Sequence, residues 1–204
     1  MKGLTFRRLP VIVGATLIAG LAAWTGVTHT TFFGQLVGSN GPTKCTGTLP
    51  PGTYSSIVVQ SGACTINSSV VVTGGVTVNS NATLNDNGAS VGGSISAGTN
   101  SNLFIAGSGG YANTNATVHG NIDTSGAHQV SITNTTVGGS NVTVQSTTTS
   151  TSITHNNISN NLSVLGNFGS TTVQFNSVGK NATCSNNAGF VGGGNTAGGK
   201  DTCN

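Results

Sequence analysis

In HNNISNN (155–161) a lone isoleucine stands among asparagines, with one histidine and one serine beside it. Taken alone, the stretch would suit disordered filler, a run of glycan acceptors or a metal-binding histidine in a polar loop. Set against the rest of the chain, it is one unit of a repeat. ASVGGSI (89–95), ATVHGNI (116–122), TTVGGSN (135–141), NNISNNL (156–162), NSVGKNA (176–182) and NTAGGKD (195–201) share one plan: a polar or small pair, an aliphatic or Ala centre, and a Gly-, Ser- or Asn-rich exit. The centres are Val91, Val118, Val137, Ile158, Val178 and Ala197, spaced by 27, 19, 21, 20 and 19 residues. The first interval is lengthened by a Gly-rich insertion, AGSGGYANTN (106–115).

The register extends on both sides of the centres. Five residues upstream stand Ile132, Ile153 and Val173, and two upstream stand Asn156, Asn176 and Asn195. Downstream come short alternating runs, NVTV (141–144) and NLSV (161–164). Period-two alternation, repeated every twenty or so residues with Gly and Asn between, predicts an all-β fold: a single-stranded parallel β-helix, or solenoid, with coils of about 20 residues. Aliphatic residues at equivalent positions should form columns inside coils stacked roughly 4.8 Å apart. Asn156, Asn176 and Asn195 should form a ladder of side-chain amides at a corner. In this register His155 has no counterpart above or below.

The four cysteines fall in two pairs of equal separation, Cys45/Cys64 and Cys184/Cys203, each 19 residues apart. Cys184 and Cys203 each lie six residues after a centre, so they share a column in the last two coils. A stacking distance near 4.8 Å lies inside the roughly 4.4–6.8 Å Cα range of a disulfide. Cys45 and Cys64 are expected to do the same near the start, so the solenoid should be stapled at both ends.

Three segments follow from composition. Residues 1–24 carry Lys2, Arg7 and Arg8 before an apolar run ending in small residues, the pattern of a secretory signal. Residues 25–40 read as an irregular arm whose Phe32 and Phe33 could cover an open end of the core, and 41–204 as the parallel β-helix domain. Without the signal the charges balance: Lys44, Lys180 and Lys200 against Asp86, Asp123 and Asp201, with no arginine. Nucleic-acid binding and membrane contact beyond the signal, both of which need clustered basic residues, are not supported.

TLPPGTYSSIVVQSGACTI, VTGGVTVNSNATL and the repeated VGGS and VGKN units resemble right-handed parallel β-helix proteins, the architecture of the pectin-lyase-like superfamily and of many bacterial adhesins. More narrowly, they resemble small exported proteins of Gram-positive soil bacteria. The resemblance covers about residues 41–204 and speaks to fold far more than to function. The superfamily's lyases imply acidic Ca²⁺-binding clusters with an Arg or Lys base, and its hydrolases several aspartates. Here three aspartates are scattered, Asp86 five residues before its centre and Asp123 five after. His119, His128 and His155 fall at three different repeat positions, so no ligand set converges. No catalytic residue, cofactor or metal is therefore expected. The alternating Thr147, Thr149 and Thr151 raise an ice-binding face, but the column of Thr133 and Thr154 passes to Gln174. The expected protein is secreted and has a structural or adhesive role at the cell surface or in the extracellular matrix. Its expected partners are an extracellular glycan or further copies of itself. The alternative is a carbohydrate-binding or polysaccharide-processing β-helix protein.

Overall fold

A computed structural model describes residues 41–107 and 115–204. The signal and arm readings, including Phe32 and Phe33, and most of the Gly-rich insertion lie outside the described residues. Among these there is no helix; the chain winds into coils that each supply one strand to each of three eight-stranded parallel sheets. The strands are short and rich in Val, Ile and Thr, residues whose branched side chains suit a pleated, half-buried surface. Alternation decides which side chains go in. In the strand Val142–Gln145, Val142 and Val144 are buried while Thr143 and Gln145 face outward. In coil order we call the three faces the first sheet (containing Val142–Gln145), the second (containing Ser150–Thr154) and the third (containing Asn157–Ile158).

The third sheet carries the repeat centres. Val91, Val118, Val137, Ile158, Val178 and Ala197 are paired coil to coil in one inward column. It runs further back than the motif suggests, to Val72 and Tyr54, whose surroundings do not share the GGS exit. All but Tyr54 in the first coil and Ala197 in the last, both partly buried, are buried.

Two of the three corners are built alike. At the second-to-third corner, Asn134, His155, Phe175 and Gly194 take left-handed backbone angles (φ 49°, 58°, 55° and 66°), and the next residue turns inward. At the first-to-second corner Gly126, Ser146, Gly166 and Asn186 do the same (φ 68°, 56°, 60° and 54°). His155 thus has counterparts after all. They share a backbone conformation and not a side-chain type, and its ring stacks on that of Phe175 with centroids 5.0 Å apart.

The inward residue after each left-handed position is Ala, Thr or Asn, and the asparagines form ladders. Asn176 Oδ1 accepts from both the backbone N–H (3.1 Å) and Nδ2 (2.9 Å) of Asn156, while Asn176 Nδ2 donates to Ile153 O at 2.8 Å. Asn195 repeats this on Asn176, and Asn156 Oδ1 takes the N–H of Thr135 at 3.0 Å. These three asparagines are buried, so each amide satisfies backbone groups that water cannot reach. A second ladder joins Thr147, Asn167 and Asn187. A third, half-buried, runs through Asn121, Asn141, Asn161 and Asn181 with the opposite polarity: each coil's N–H donates back to the preceding asparagine.

Both disulfides form, Cys45–Cys64 and Cys184–Cys203, with Cα separations of 5.5 and 5.0 Å. The second bridge joins successive coils in one column, as the parallel bridge between Ala182 and Asp201 requires. The first does not. The opening coil is short, with Thr43 pairing Ile57, so Cys45 directly follows the strand Thr43–Lys44 of the first sheet while Cys64 lies in the second, paired with Gly47. That bridge crosses a corner inside the core. At the C-terminal end Phe190 continues the inward column of Leu84, Leu103, Val130, Thr151 and Thr171. The final residues fold back there: Asn204 Oδ1 accepts from Asn195 N, so the terminal residue ends the asparagine ladder.

Candidate functional site

Among the described residues, candidate functional groups lie on the outside of the coils or buried in the core. Among the described residues His119, His128 and His155 lie on exposed corners: His119 Nδ1 lies 3.4 Å from Val91 O, and His128 Nδ1 lies 3.1 Å from Asn102 Oδ1. Among the described residues no group of three or more His, Cys, Asp or Glu side chains could hold a metal ion. Asp123 is exposed on the first sheet, and Asp201 binds the C-terminal turn through Cys203 N and Asn204 Nδ2.

Asp86 is different. It pairs with Ile66 in the preceding coil and Ile105 in the following one, and is fully buried in a column that continues as Ile132, Ile153 and Val173. Its Oδ1 accepts from Ala89 N at 2.8 Å, while Oδ2 has no partner. Burial pushes its pKa up to about 7, against the opposing pull of hydrogen bonds from Ala89 and Gly88. The sequence held the signal, because five residues before a centre is the Ile132 position. Side-chain type argued for the surface, and register prevails.

The threonines also divide differently from the alternating pattern. Thr147 and Thr151 point into the core, and their hydroxyls have no partner. They cannot contribute to an outward T-x-T face. The outward positions of the second sheet are instead Gln129, Ser131 and Thr133, then Ser150, Ser152 and Thr154, then Ser170, Thr172 and Gln174, in register over three coils. This face carries hydroxyls and amides and no charge. Thr133 and Thr154 touch through their hydroxyls at 3.3 Å.

The first sheet carries a shallow groove of about 570 Å³ where it meets the first-to-second corner, bordered by Gln60, Thr77, Asn79, Ser80, Ser96 and Gly98. Gly98 lies where the neighbouring coil approaches closely, since a Cβ there would meet the backbone N and Oγ of Ser80 at 3.2 Å. Near the C-terminal end the outer surface changes again, and Phe168, Phe175 and Val191 are exposed.

Comparison of the chain with models of protein families, with curated proteins and with solved structures finds no match. The class is therefore defined by geometry alone: a disulfide-closed parallel β-solenoid. Its two disulfides suit an oxidising, extracellular setting. Among the described residues no helix is long and apolar enough to cross a membrane.

Proposed function

We propose that this is an exported scaffold that acts by surface contact and not by catalysis, in a structural or adhesive role at the cell surface or in the extracellular matrix. The observation that carries this reading is the outer face of the second sheet: uncharged hydroxyl and amide side chains in register, on a backbone fixed by ladders and disulfides. Many weak hydrogen bonds from a rigid, repeating surface suit a repeating partner, because the scaffold has already lost the entropy that a flexible binder would lose on contact. The sequence-level likeness to right-handed β-helix proteins of pectin-lyase-like architecture, and to small exported proteins of soil bacteria, belongs to this proposal, as does secretion through residues 1–24.

Deletion of the gene in its host, with fractionation of the tagged protein, tests the reading. The expected result is protein retained on washed cells or matrix and weakened attachment in the deletion strain. Recovery of all the protein in the culture supernatant with attachment unchanged would overturn it. Release of reducing or unsaturated sugars from a polysaccharide incubated with the purified protein would overturn the non-catalytic part.

A further inference from the structure

The corner after Asp86 differs from its equivalents in later coils. Gly88 takes the left-handed position there (φ 90°), as Asn134, His155 and Phe175 do further along. In those coils the left-handed residue donates its N–H to the following coil: Asn134 to Thr154 O, His155 to Gln174 O and Phe175 to Gly193 O. Among the described residues Gly88 N–H has no such acceptor. It lies instead against the carboxyl of Asp86, as one of the two backbone hydrogen bonds that this group accepts.

Between them stands Asn87, and Asn87–Gly88 is the one Asn-Gly pair that lies wholly within the described residues. An asparagine side-chain amide is most open to attack by the next backbone nitrogen when a glycine follows, because no Cβ crowds that nitrogen. Closing the ring requires rotation about the Asn87 Cα–C bond. Asn87 pairs with Asn67 in the preceding coil, but the ladder to the following coil pairs Asp86 with Ile105 and resumes at Ser90 with Thr117. Among the described residues no strand of the following coil therefore holds Asn87 or Gly88. The Asn87 side chain is exposed, and its Nδ2 donates only to Asn67 Oδ1, at 3.4 Å.

A base is in place. Gly88 is buried, so its proton has to pass to a protein group and not to bulk water. Asp86 Oδ2 has no partner, and no other ionisable side chain is buried among the described residues. Its pairing neighbours, Ile66 and Ile105, carry no charge. Burial pushes its pKa up to about 7, which makes it a stronger base than an ordinary carboxylate.

We propose that Asn87 is a self-modification site, converted to aspartate and isoaspartate by attack of the Gly88 nitrogen with Asp86 as the base. Asp86 takes the Gly88 N–H proton, and the nitrogen bonds to Asn87 Cγ. The Cγ–Nδ2 bond breaks, and Nδ2 leaves as ammonia with the proton returned from Asp86. One water then opens the succinimide. Addition at Cγ gives aspartate; addition at the main-chain carbonyl gives isoaspartate, in which the backbone runs through Cγ. Nothing is oxidised or reduced. Either product places a new carboxylate beside Asn67 and Asp86, and isoaspartate lengthens the main chain by one methylene where the coil turns. The step is independent of the surface-contact reading above.

The test is peptide mapping by mass spectrometry of the disulfide-bonded chain incubated at neutral pH in H₂¹⁸O, with fragmentation that separates aspartate from isoaspartate. A gain of three mass units at Asn87 is expected, one from the exchange of amide for acid and two from the heavy oxygen. Conversion should be at least about tenfold faster than at Asn67, which stands in the same column but precedes Ser68. In the folded chain Asp86→Asn should slow conversion at Asn87 by about tenfold or more. In guanidinium, where the carboxyl is no longer held against Gly88, the two chains should convert at similar rates, a contrast that separates a base from a structural neighbour. Should Asp86→Asn fail to fold, the wild type alone decides, since it should convert faster folded than unfolded. An unconverted Asn87 in the folded chain, equally fast conversion at Asn67, equal rates for folded wild type and folded Asp86→Asn, or faster conversion of the wild type once unfolded would each overturn the proposal.

Discussion

The buried Asp86 makes stability depend on pH in a direction opposite to that of most carboxylates. A paired surface acid has a depressed pKa and strengthens the fold as pH rises, whereas Asp86 has its pKa raised from 3.8 to about 7. Below about pH 4 the residue is protonated in both folded and unfolded chains, and its contribution is fully present. Between about 4 and 7 the unfolded chain has released the proton while the folded chain still holds it. Unfolding then releases a proton, and stability falls with rising pH. Above about 7 both states are ionised and the loss is complete. A gap of roughly 3 pK units at about 1.36 kcal/mol each amounts to roughly 4 kcal/mol, a large part of the 5–15 kcal/mol typical of a domain.

Asp86→Asn isolates the effect. The amide keeps an acceptor for Ala89 N but cannot ionise, so its stability should be flat where the wild type declines. The Asn variant should match or fall slightly below the wild type at pH 4 and exceed it by a few kcal/mol at pH 8. Guanidinium unfolding followed by circular dichroism from pH 4 to 9 measures the difference, and any background common to the two proteins cancels. The ¹³Cγ shift of Asp86 gives its pKa directly. Parallel stability curves for the two proteins, or a ¹³Cγ midpoint below 5, would refute the reasoning.

Four further outcomes are expected. Asn176→Ala strands Asn156 N, Asn156 Nδ2 and Ile153 O in the interior; a loss of about 3 kcal/mol or more is expected by chemical unfolding, with faster hydrogen exchange at Asn156. Thr151→Val removes a buried hydroxyl that has no partner and should raise stability by about 1 kcal/mol, read as a shift in the same unfolding midpoint. Replacing Cys184 and Cys203 together by Ser opens a loop of about twenty residues and should cost about 3 kcal/mol, seen as a lower thermal midpoint than that of the bridged protein. Gly169→Ala drives a Cβ into the carbonyl of Thr149; a loss above about 3 kcal/mol is expected, and a midpoint within a degree of wild type would show that the coil can move aside.

The sequence made the inward columns readable because constant coil length and period-two alternation reinforce each other. Val118, Val137, Ile158 and Val178 stay in phase with no structural knowledge. What stayed hidden depends on properties that side-chain type does not display. Asn134, His155, Phe175 and Gly194 have nothing in common except a positive φ, so an alignment of chemistry leaves His155 alone. The equal 19-residue cysteine spacings imply equal geometry only when the coils are equal, and the short first coil moves Cys45 into a different sheet from Cys64.

These features bear on one another along the axis. Inward positions on the second sheet pass from Leu84, Leu103 and Val130 to Thr151 and Thr171, so the apolar core weakens toward the C-terminus. The buried ladder of Asn156, Asn176 and Asn195 occupies those same later coils. In the earlier coils the matching corner position holds Ala89 and Ala116, which need no partner. Side-chain hydrogen bonding thus takes over where hydrophobic burial declines, and Cys184–Cys203 closes the end that has the least apolar packing. The consequence for function is an asymmetry between the two ends. The early coils are held by aliphatic columns, and Gln60, Thr77, Asn79 and Ser96 stand exposed on their surface.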